Sequence, residues 1–89
     1  MLNNLNEILQ PMYNKLHINS MEYVYNKENK MFISKDPIFY DNDIAPYNIL
    51  IKIHGNIGSV VTAIFDQDSF YENEFLGQIK FNGTNWELL

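Results

Sequence analysis

Carboxylates are the most plentiful ionisable groups in this chain, eleven against six lysines and two histidines. Asp66, Asp68, Glu72 and Glu74 are spaced somewhat like the alternating ligands of a calcium loop. The pattern fails where such a loop is strict: no Gly stands at the sixth position, no bidentate Glu at the twelfth, and no helix-loop-helix surrounds it. His17 and His54 are the only histidines, and neither has a second His or a Cys at ligand spacing, so no metal site is expected. The hydroxyls of Ser20, Ser34, Ser59, Ser69, Thr62 and Thr84 include none in a Gly-x-Ser-x-Gly elbow. Paired acids would need an apolar cleft to raise one of them into a general acid, and a domain this small leaves little volume for one. Gly55-Asn56-Ile57-Gly58 lacks the Lys-Ser/Thr and the following helix of a phosphate loop. Non-enzymatic action without a cofactor is the expectation.

Charge and composition narrow the partners. All six basic residues are lysines, Lys15, Lys27, Lys30, Lys35, Lys52 and Lys80, against eleven acids, for a net charge of −5. Without Arg and with that sign, the chain repels a phosphate backbone, so direct nucleic-acid binding is not expected and a basic protein partner is. No Cys is present, which excludes disulfides, thiolate chemistry and Cys-ligated zinc. The longest strongly apolar run is Val60 to Phe65, far short of the roughly 20 residues of a membrane span. Residues Met1 to Gln10 lack the basic start and apolar stretch of a signal peptide, which makes a cytoplasmic location the expectation. The abundance of Asn, Ile, Lys, Phe and Tyr, all with A/T-rich codons, points to an A/T-rich bacterium, phage or mobile element.

At 89 residues and 46% hydrophobic, the sequence supports a single domain over 1–89. Leu2, Leu5, Ile8, Leu9, Met12 and Leu16 recur at spacings of three, four and seven, predicting an amphipathic helix over 2–16. Asn3 or Asn4 is suited to cap it, and Pro11 must either kink it or divide it into two abutting pieces. Beyond Leu16 the period changes to two. Three hairpins follow: Ile18 to Tyr25 with Lys30 to Lys35, Tyr47 to His54 with Ser59 to Asp66, and Phe75 to Phe81 with Asn85 to Leu88 across Asn82-Gly83-Thr84. Ile49, Ile51 and Ile53 share one face, with Asn48, Lys52 and His54 opposite. Phe75, Ile79 and Phe81 are expected on one face of their strand, Leu76, Gln78 and Lys80 on the other. The predicted fold is α+β, an N-terminal amphipathic helix packed on a curled antiparallel β-meander of about five or six strands.

Two segments echo each other. Phe39-Tyr40-Asp41-Asn42-Asp43 and Phe70-Tyr71-Glu72-Asn73-Glu74 both read Phe-Tyr-acid-Asn-acid, 31 residues apart. Read as loops between strands an even number apart, they emerge at the same end of a meander. Together with Asp36, Asp66 and Asp68, they would form an acidic rim carrying Tyr40 and Tyr71, with Phe39 and Phe70 tucked into the core. Clustered carboxylates speed association with a basic partner, and tyrosines add contact area with few rotors to freeze. The expected function is that of a small acidic protein that occludes a basic surface of a larger partner, one class of which handles nucleic acid. Its partner-binding residues would be Asp36, Tyr40, Asp41, Asp43, Asp66, Asp68, Tyr71, Glu72 and Glu74. Inhibitors, anti-defence proteins and immunity-type proteins of phages and mobile elements act this way. Two alternatives stand beside it. One is a structural homo-oligomer, in its simplest form a homodimer, using an apolar sheet face of Leu50, Val60, Ile64 and Leu76. The other is a small-ligand binder with Trp86, Tyr23 and Tyr25 at the mouth of the curled sheet.

Overall fold

A computed structural model describes residues 4–39, 46–66 and 69–89. Two short helices, α1 (Leu5–Ile8) and α2 (Gln10–Leu16), precede six strands: β1 (Tyr23–Asn26), β2 (Met31–Ser34), β3 (Asn48–His54), β4 (Ile57–Asp66), β5 (Ser69–Phe81) and β6 (Trp86–Leu88). The strands form one antiparallel sheet in the order of the chain, β1-β2-β3-β4-β5-β6, curled into a half-barrel around the helices. The predicted α+β meander is therefore present, with six strands.

Pro11 divides the helical stretch. It sits in the first turn of α2, where its missing amide costs nothing, and Leu9 (φ −85°, ψ 0°) joins the two pieces. Asn4 stands at the N-cap of α1 but makes no side-chain capping bond. It is spent elsewhere: its Nδ2 donates to the Trp86 carbonyl at 2.9 Å and its Oδ1 accepts the Trp86 amide at 3.1 Å. The carboxamide thus pairs with β6 as a neighbouring strand would.

Leu5, Leu9, Met12, Tyr13 and Leu16 enter the concave face of the sheet and meet Phe32, Ile49, Ile51, Val60, Ile79 and Trp86. Each fully buried aliphatic chain there contributes about 1.5–3 kcal/mol. The opposite face carries a smaller cluster of Met31, Leu50, Val61 and Ala63, against which Ile33 and Phe70 pack. β4 supplies Val60 and Ile64 to the first cluster and Val61 and Ala63 to the second, as expected of a strand apolar on both faces. β3 likewise gives Ile49, Ile51 and Ile53 to the helix side, while Leu50 is buried on the other.

β5 departs most from the sequence pattern. It begins at Ser69, six residues before the expected Phe75. Its register against β4 slips twice: Val60 opposes Gly77 but Val61 opposes Phe75, and Thr62 opposes Glu74 but Ala63 opposes Glu72. Leu76 and Asn73 are the extra residues of two bulges. Each insertion breaks the period of two, which is why 70–74 reads as a loop in the sequence. The slip also exchanges two side chains. Leu76 packs into the helix-side core, while Phe75, opposite Val61, lies on the other face and is 63% exposed.

Candidate functional site

A meander sorts its connections by parity, and this sorting separates the candidate sites. The β2–β3 and β4–β5 connections lie at one end of the sheet; the β1–β2, β3–β4 and β5–β6 turns lie at the other.

Two of the described acids stand at the first end. Asp36 follows β2 and is exposed, and Asp66 closes β4 opposite Ser69. Ser34, buried at the end of β2, fixes the chain there. Its Oγ accepts the Ile49 amide at 3.0 Å and donates to the Asp36 carbonyl, and Asn48 Nδ2 donates to the Ser34 carbonyl at 2.8 Å. Ile38 and Tyr47 then bridge the base of the connection. Tyr40, Asp41, Asp43 and Asp68 lie outside the described residues.

Tyr71, Glu72 and Glu74 are exposed, but on β5 and not on a loop. Their faces alternate. Glu72 opposes Ala63 on the convex side and pairs with Lys52 at 2.7 Å, whereas Tyr71 opposes Ile64 and Glu74 opposes Thr62 on the helix side. The two phenylalanines of the echo differ as well: Phe70 packs against the convex cluster beside Phe65, whereas Phe39 is 72% exposed and not tucked into the core. β6 pairs only with the last residues of β5, Ile79–Phe81. Among the described residues, β4 alone pairs with the stretch Phe70–Leu76. Its outer edge carries the two glutamates.

The proposed oligomer face is divided. Leu50 belongs to the convex cluster, but Val60, Ile64 and Leu76 pack toward the helices. The convex side instead presents Val24, opposite Ile33, with Phe65 and Phe75.

The other end of the sheet holds an apolar recess of about 430 Å³. Tyr25 and Phe32 form one wall, their rings 4.8 Å apart and tilted by 52°; Phe81 and Trp86 form the other, 5.3 Å apart and tilted by 57°. Ile53 lies between, and Gly55 and Asn56 edge the mouth. Gly55 (φ +63°) is the first central residue of the two-residue β3–β4 turn, where a positive φ suits the twist of the strands.

Of the three aromatics read from sequence as a ligand mouth, Trp86 and Tyr25 are here. Tyr23 is not: its hydroxyl meets that of Tyr13 at 2.8 Å under the helices. Phe32, Ile53 and Phe81 were missed. Their signal is positional, since Ile53 and Phe81 come just before, and Phe32 just after, one of the three turns that share this end. Among the described residues, no three His, Cys, Asp or Glu side chains gather to hold a metal ion, and no helix is long and apolar enough to cross a membrane. No protein-family model, no curated protein and no solved structure matches this chain.

Proposed function

We propose that this protein acts by stoichiometric binding, without catalysis, and that its acidic end occludes a basic surface of a larger protein. The observation that carries this reading is the edge of β5. A strand edge offers main-chain donors and acceptors to an incoming extended segment. Here Glu72 and Glu74 flank those groups, Tyr71 adds an exposed ring, and the net charge of −5 favours a positive partner. Of the two glutamates, Glu72 is already paired with Lys52, so Glu74 is the stronger electrostatic lure. An inhibitor or immunity-type role against a nucleic-acid-handling protein fits this chemistry, because carboxylates at intervals occupy the same basic groove as phosphates do.

The test is affinity capture of a basic protein from lysate by the tagged chain, compared with a variant carrying Tyr71→Ala, Glu72→Gln and Glu74→Gln. Capture should fall by about tenfold in the variant and weaken as salt screens the charges. Equal capture by both chains, at low and moderate salt alike, removes the acidic edge from the function.

A further inference from the structure

We propose that the recess between the Tyr25–Phe32 and Phe81–Trp86 pairs is a binding site for an uncharged, planar ring compound. The site is independent of the acidic edge and lies at the opposite end of the sheet. Four observations select this occupant. First, no residue lining the recess carries a formal charge, so a charged ligand would lose its hydration without gaining a partner. Second, the two walls are aromatic pairs, and a planar ring between them gains stacked or edge-on contacts with either. Third, about 430 Å³ falls within the range of small-molecule sites. Fourth, the surroundings are polar. The three turns at this end are Lys27 to Lys30, Gly55-Asn56 and Asn82 to Asn85, which give no apolar apron on which another protein or a second copy could seat.

The fold keeps the recess open. The helices cover the other part of the concave face and contribute nothing to its lining. β4 also leaves it clear, because its residue at this level is Gly58. A Cβ there would come within 2.9 Å of Ile51 Cγ2 and 3.1 Å of Ile79 Cγ1, so the close packing of these two core side chains requires glycine at 58. The walls on β1–β2 and β5–β6 consequently face each other with no β4 side chain between them.

Trp86 is the single tryptophan, so the site contains its own reporter. Titration of the whole chain with the neutral fluorophore N-phenyl-1-naphthylamine should give saturable one-to-one binding, with Trp86 emission falling as the probe's emission rises. Tyr25→Ala removes half of one wall at a side chain that is 43% exposed, and should weaken binding by about tenfold. Asn56→Phe puts bulk at the exposed mouth and should do the same, so the site can still be judged if one variant does not fold. Val24→Ala, on the convex face, should leave the affinity unchanged. Three results would overturn the proposal: no saturable binding, equal binding by wild type and both recess variants, or a loss in Val24→Ala that places the probe on the convex face.

Discussion

Tyr13 and Tyr23 share one of the few polar contacts inside the core. Tyr13 donates to Asn6 Oδ1 at 2.7 Å, so in the 2.8 Å contact between the two hydroxyls Tyr23 is the donor. Asn6 Oδ1 also accepts the Met21 amide, tying α1 to the chain entering β1. Burial pushes the Tyr13 hydroxyl up to about 12, and burial first, then its contact with Tyr13, pushes Tyr23 upward as well. Both pKa values are raised in the folded state. The unfolded chain therefore releases these protons first, and the stability they support is complete below a pH of about 10 and falls above it. Thermal unfolding followed between neutral pH and pH 12 should show the melting temperature dropping steeply beyond pH 10. Tyr23→Phe should make that drop shallower; an unchanged slope would show that other groups govern alkaline unfolding.

At the scale of elements, β5 decides the shape of the sheet. Gly77, with φ +146°, lies at the bulge where Leu76 is inserted, and a Cβ there would sit 2.8 Å from Met12 Cε on α2. Gly77→Ala strains the backbone at this positive φ, while the flexible tip of Met12 can move aside, and should cost about 1–3 kcal/mol in a urea melt. A neutral result would mean that the bulge relaxes to a backbone conformation that alanine adopts without strain. The same bulges mark how far the sequence could be read. The break at Pro11, the Asn82-Gly83 turn and the face of Ile49, Ile51 and Ile53 were legible because each depends on a local rule. The start of β5 was not, since Asn73 and Leu76 reset the alternation and Phe75 and Leu76 exchanged faces. The same-end placement of the β2–β3 and β4–β5 connections follows from strand parity and was foreseen. The recess was only partly legible, because its walls come from opposite margins of the sheet and only the curl brings them together.

For the whole molecule, the pair formed by Asn4 and Trp86 joins the first described element to the last, 82 residues apart. Asn4→Ala removes both bonds and leaves the Trp86 amide and carbonyl without that partner, which should cost about 1–3 kcal/mol. Amide hydrogen exchange at Trp86 should accelerate more than at the centre of β3; uniform acceleration would show that the pair is not a local clasp. Every strand pairing, by contrast, joins sequence neighbours. Such pairings close short loops and form early, whereas a contact spanning 82 residues must wait for both ends of the chain. As the chain leaves the ribosome, the first five strands are able to pair in order while the helices still lack the β6 contact that anchors them. The aromatic walls around Trp86 would then be assembled last, after the sheet that carries the rest of the recess has formed.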